Sequence, residues 1–321
     1  MPAERPHEWP LYYHWSIAAA GTWDDLALAR HRQSEKAFKQ RLKAGSEKFQ
    51  ARVDAAARDV DNHPRLKNLT QQQRKDLVEF VIGNMMFALL HELGHAHIQE
   101  MGLPVLGKEE DAADSYAVLA LLKVGTEVSH NVLVQATKGW FLSAARDQQE
   151  GTPVAFYDEH GMEKQRAYQI VCLMVGSDPD QFADLANQTK MPESRQGTCA
   201  GDYSNASWSW ELLLKPHLRA LDQPKQEITV AYGPVGDFAV LAQALRTTGL
   251  MEMLADYAAN RFVWRRPITF DVKSCGQPDL HWELSTQKIV TCYEMAQDFA
   301  NLYRGYGLTP AKEPEVETKT K

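Results

Sequence analysis

Apolar residues recur at three- and four-residue intervals through Val78, Val81, Ile82, Met85 and Leu89, the spacing of one face of an α-helix. Thr70 and Gln73 form a capping-box pattern at its start, and Gly102 followed by Leu103-Pro104 marks its end. A second helix begins among the acids at 109–111, runs through Tyr116, Leu119 and Leu122, and stops near Gly125. Strand patterns come only later, at 228–232, 267–272, 280–284 and 288–291, the last two reading as a hairpin across 285–287. Residues 22–60 are rich in Lys, Arg, Glu and Ala at helical spacing, and the run Trp9-Pro10-Leu11-Tyr12-Tyr13 before them is suited to dock an aromatic cluster on the main domain. Residues 309–321, with two prolines, alternating charges and no apolar pattern, predict a disordered tail. The expected chain is therefore α+β and predominantly helical. It divides into a helical extension over 1–70, a main domain over 71–308 whose strand-rich part is 226–308, and the tail.

The last turns of the first helix carry His91-Glu92-Leu93-Gly94-His95. Residues i and i+4 lie one above the other on a helix face, so the two imidazoles can meet on one metal ion. Glu92 then stands beside the ion, where its carboxylate can take a proton from a water that zinc has acidified. The bland alternative is a pair of satisfied core histidines, but unpaired imidazoles on a largely buried helix are costly.

A catalytic zinc takes three protein ligands and keeps one position for water, so a third ligand is expected downstream. Glu110 and Asp114 are again i and i+4, with Ala112 and Ala113 between them allowing close helix approach. Glu110 is expected as the third ligand, with Asp114 accepting the second N–H of a zinc histidine, His91 by preference. First-turn acids also complement a helix dipole, but that does not account for Asp114. Glu109 is the competing ligand, without an acid four residues on. His97, two residues from His95, points off the metal face and is expected on the helix surface. Ile98 and Met101 stand where the metzincin pattern needs glycine and histidine, which excludes that class.

These motifs resemble the gluzincin arrangement, and specifically an uncharacterised bacterial family of metallopeptidases. Tyr157-Asp158-Glu159-His160, Gln165-Arg166, Cys172, Gly176-Ser177-Asp178-Pro179, Cys199, Tyr203 and the run 208–216 extend the resemblance through most of 73–307. It implies a zincin-like fold, bound Zn2+ and peptide hydrolysis. In that family a Cys-Gly pair and a Cys-Tyr-Glu triplet precede the zinc helix. Here Cys275-Gly276 and Cys292-Tyr293-Glu294 follow it, so the elements read as circularly permuted, with the strand-rich segment folding back beside the zinc helices.

Composition narrows the partners. The 321 residues, 44% hydrophobic and 24% charged with net charge −7, suit a globular enzyme and argue against nucleic-acid binding. No apolar run reads as a membrane span, and residues 1–15 lack the pattern of a signal peptide. Four cysteines without C-x-x-C spacing allow a Cys275–Cys292 and a Cys172–Cys199 bridge, which would suit a periplasmic or secreted protein, or four buried thiols in a reducing compartment. Localisation stays open at this level.

An oxyanion donor opposite Glu92 completes the expected chemistry, with His160 first, which could equally cap the next helix, Tyr157 next, and Tyr203, Tyr293 and Arg166 behind them, each as readily a core residue or a salt-bridge partner. His7 and His14 are expected at the surface or in packing. The function expected is a zinc peptidase acting on a peptide or protein. The alternative is a non-catalytic zinc-binding interaction protein on the same scaffold, which would have no need of Glu92 and would want a fourth protein ligand.

Overall fold

The computed structural model describes residues 25–60, 66–220 and 222–308. The aromatic run at 9–13, His7, His14 and the tail 309–321 lie outside them. The chain divides into two compact units, Met1–Ala44 and Gly45–Lys321. Helix α1 (Asp25–Asp59) supplies the described part of the first unit and, from Gly45 on, the start of the second.

In the second unit the centre is α2 (Gln71–Met101), whose N-terminus is closed by the reciprocal Thr70–Gln73 capping box and whose C-cap Gly102 is left-handed. From Leu77 on, its side chains are buried nearly all round. Phe80, Met85, Leu89 and Leu93 are fully buried, as a helix surrounded by other elements requires. By length and apolarity α2 could cross a membrane, contrary to the sequence expectation that no run would qualify. Yet 83% of that window is buried inside the protein, and so it is the core helix here.

Helix α3 (Glu109–Val124) and helix α4 (Glu127–Glu150) pack on α2, and α5 (Glu163–Ser177) packs on both of them. Beyond α5 come α6 (Pro179–Gln188), the single turn α7 (Glu193–Gln196) and α8 (Cys199–Leu214). A disulfide joins Cys172 of α5 to Cys199 of α8 across a Cα separation of 5.0 Å. Gly176 permits that crossing, since a Cβ there would stand 2.2 Å from the Cys199 carbonyl oxygen.

Strand β1 (Thr229–Tyr232) precedes α9 (Ala239–Thr248) and α10 (Leu250–Arg261), followed by β2 (Thr269–Lys273), β3 (Leu280–Glu283), β4 (Lys288–Cys292) and α11 (Tyr293–Leu302). Among the described residues the chain is thus predominantly helical, with one four-stranded sheet in the order β1-β2-β4-β3. The β1–β2 and β2–β4 pairs are parallel, while β3 is an antiparallel edge strand paired to β4. That edge strand, together with β4 and α11, lies against α2. The strand-rich segment therefore folds back onto the helix that bears the two histidines, although its edge strand begins only at Leu280 and that helix ends at Met101.

A second disulfide, Cys275–Cys292, ties the loop after β2 to the end of β4, with its Cα atoms 5.5 Å apart. Glu294 completes this corner. Its carboxylate accepts the backbone N–H groups of Cys275 and Gly276 at 3.0 and 2.8 Å and the Ser274 hydroxyl at 2.6 Å. The hydrogen bonds hold the carboxyl below its ordinary range despite the cost of burial.

Candidate metal centre

His91 and His95 leave α2 on one face with their Nε2 atoms 3.1 Å apart. Glu110, from the first turn of α3, faces both. Its Oε2 is 3.1 Å from His91 Nε2 and its Oε1 is 3.3 Å from His95 Nε2. This approach depends on small residues where the helices cross, because a Cβ on Gly94 would stand 3.0 Å from the Cα of Ala113. Asp114, one turn further along α3, has Oδ1 2.8 Å from His91 Nδ1.

Three further contacts were not read from the sequence. Glu109 Oε1 lies 2.8 Å from His95 Nδ1, where it does for His95 what Asp114 does for His91. The only available signal was the adjacency of two acids at a helix start, which cannot say which one turns inward. Arg166 of α5 clamps Asp114 with two hydrogen bonds of 2.7 Å and lies over the Trp140 ring, 3.8 Å from its centroid. Of the two roles the sequence left open to it, weak oxyanion donor or salt-bridge partner, it takes the second, on Asp114. Trp282 of β3 donates its backbone N–H to Glu92 Oε2 at 2.8 Å. Glu92 Oε1 stands 4.0 Å from His91 Nε2, beside the imidazoles.

The electrostatics follow from this crowding of acids and imidazoles. Burial opposes charge on His91, but Asp114 and Glu110 outweigh it and raise its pKa. For His95 the same contest, won by Glu110 and Glu109, raises the value to about 9. Burial raises Glu92 above the usual carboxylate range, against the pull of His91 and His95. Glu110 and Asp114 are lowered, Glu110 by His160, His91 and His95, and Asp114 by His91 and Arg166, in both cases against burial.

Glu110 Oε2 is buried and has no hydrogen-bond partner although imidazole nitrogens crowd it. Lone pairs of two Nε2 atoms and a carboxylate that converge within 3.1–3.3 Å repel one another unless protons or a cation sit among them. With Nδ1 of each histidine committed to a carboxylate, both Nε2 lone pairs are directed at one point. The donor set fits a divalent ion that accepts nitrogen and carboxylate ligands.

A cleft of about 970 Å³ opens on this face. His91, Glu92 and His160 line it, with apolar walls from Phe87, Trp140, Leu280, Met295 and Phe299. His160, on the loop before α5, places Nε2 3.0 Å from Glu110 Oε2. Tyr157 is not brought in. Its side chain is 94% exposed and does not line the cleft, because the loop turns it outward three residues before His160. Tyr203 and Tyr293 are likewise outside the lining, Tyr293 being fully buried in the core.

His97 corrects an expectation. It is fully buried, not on the surface, with its ring edge-on to Phe262 and Trp264 at centroid distances of 4.3 and 4.6 Å. Its spacing turns it off the face shared by His91 and His95, but the segment after α10 covers the opposite face of α2, and burial lowers its pKa to about 3. It is a neutral core imidazole.

The family model described as "Putative metallopeptidase" matches residues 53–214, half of the chain. The match takes in α2, α3 and the helices up to α8 and stops before the strands. No curated protein and no solved structure matches the chain.

Proposed function

Because the chain belongs to the "Putative metallopeptidase" family, we propose that it is a zinc-dependent peptidase in which His91, His95 and Glu110 hold the ion and Glu92 is the general base. What carries the reading is the convergence of two Nε2 atoms and one carboxylate within 3.1–3.3 Å, with a second carboxylate beside them. When bound, zinc supplies Lewis acidity toward a peptide carbonyl and lowers the pKa of water.

The rest of the chemistry belongs to the side chains. Asp114 and Glu109 fix the tautomers of His91 and His95, and Arg166 keeps Asp114 in place. Trp282 N–H holds Glu92 Oε2, which leaves Oε1 to accept a proton from water and pass it to the leaving amine. Of the residues considered for the oxyanion, His160 lines the cleft and Tyr157 does not.

The reading includes a zincin-like arrangement in which edge strand β3 walls the cleft and an extended peptide or protein segment is the substrate. Apolar walls in a cleft of about 970 Å³ suit a segment with hydrophobic side chains. Two disulfides favour an oxidising compartment. Metal analysis of protein purified without chelators, together with digestion of a peptide library, tests the reading. One zinc per chain and chelator-sensitive cleavage are expected, and a metal-free protein that zinc does not stabilise would refute it.

A further inference from the structure

His91, His95 and His160 share one signature. Each has Nδ1 against a carboxylate oxygen, from Asp114 at 2.8 Å, Glu109 at 2.8 Å and Asp158 at 3.1 Å respectively. Each has Nε2 close to Glu110, with His160 Nε2 3.0 Å from the same Oε2 that stands 3.1 Å from His91 Nε2. Donor atoms of His91, Glu110 and His160 all lie within 4.8 Å of one another. A histidine whose outer nitrogen is fixed by a carboxylate while its inner nitrogen faces a ligand cluster is arranged as metal ligands are.

The loop that carries His160 is tied to the helix that carries Glu110. Lys108, the residue before α3, donates Nζ to the carbonyls of Asp158 and His160 at 3.0 and 3.3 Å. Asp158 Oδ1 also accepts the backbone N–H of His160 at 2.8 Å. These contacts hold the imidazole toward the cluster, yet the side chain is 45% exposed against 7% for His91. It sits at the mouth, where it can leave without disturbing the core.

Resting on the zinc reading above, we propose that His160 is a fourth protein ligand that closes the metal site at rest and has to leave before substrate and water can use it. A zinc with four protein ligands is a closed site, and catalysis needs an open position. An imidazole on the ion has no N–H directed at an oxyanion, so at rest His160 is a gate. The loop at 151–162, held by Lys108 and Asp158, then sets when the site opens.

The test uses the full chain loaded with Co(II) in place of zinc, read by visible absorption, and zinc affinity measured against a competing chelator. Wild type should show the intense bands of a tetrahedral cobalt site. His160→Ala should give a weaker spectrum of higher coordination number that responds to added azide, with zinc affinity on the order of 100-fold lower. Asp158→Asn, which keeps the imidazole but loosens it, should fall between them. A wild-type spectrum and affinity unchanged in His160→Ala would overturn the fourth-ligand proposal while leaving the zinc site standing. Failure of wild type to bind either metal would overturn both.

Discussion

The backbone N–H of Trp282 meets Glu92 Oε2 at 2.8 Å across 190 residues of sequence. Trp282 pairs with Ile289 in the β3–β4 ladder and sends its N–H outward from the sheet edge to the helix that carries the histidines. Its indole Nε1 reaches Gln99 Oε1 at 3.2 Å, and Gln99 in turn donates to Glu109 at 3.0 Å. One strand residue thereby positions both the carboxylate assigned as base and the acid behind His95.

Glu92→Gln tests the base without disturbing this frame. The glutamine amide oxygen still accepts the Trp282 N–H, so fold and zinc content should persist. Cleavage of a chelator-sensitive peptide should fall about 10²- to 10⁴-fold. Equal turnover in mutant and wild type would remove Glu92 from the mechanism.

The ligand assignment predicts a different outcome for His95→Ala and Glu110→Ala. Both should lose stoichiometric zinc, and the thermal shift that zinc confers on wild type should disappear with it. Elemental analysis and thermal unfolding with and without zinc measure this. Full zinc retention in either variant would break the three-ligand set.

Asp114→Asn and Arg166→Leu act behind His91. The first loses the charge that fixes its tautomer, and the second leaves Asp114 buried without its cationic partner. Each should weaken zinc binding by about 10- to 100-fold with the metal site still formed. Chelator competition gives the affinities, and wild-type binding in both would mean that this pair serves packing alone.

Glu294 predicts an acid-sensitive corner. Its folded pKa lies below the ordinary glutamate value of 4.5, so its stabilisation is complete above that pH and is lost as pH falls through the folded value. Glu294→Gln should cost about 2–3 kcal/mol at neutral pH, where three hydrogen bonds to a charged acceptor are weakened. The gap between the two proteins should narrow below that pH. Denaturant unfolding of both at neutral pH and in the acid range reads this, and a constant gap would exclude a charge effect.

What the sequence alone determined is local. The Thr70–Gln73 cap, the Gly102 terminus, the i,i+4 pairs and the four strand runs follow from backbone geometry within a few residues, and the structure has each of them. Facing of His91 and His95 is legible for the same reason, since a helix makes it unavoidable. Tertiary packing decided what lies on the other side of each face. Glu109 rather than solvent meets His95, Arg166 reaches Asp114 across 52 residues, and the segment after α10 buries His97, whose spacing alone had suggested exposure. The outward turn of Tyr157 and the inward turn of His160 belong to one loop whose course depends on Lys108, in another element. Periodicity tells which residues share a face, but which face is covered, and by whom, is set by the packing of elements distant in the chain.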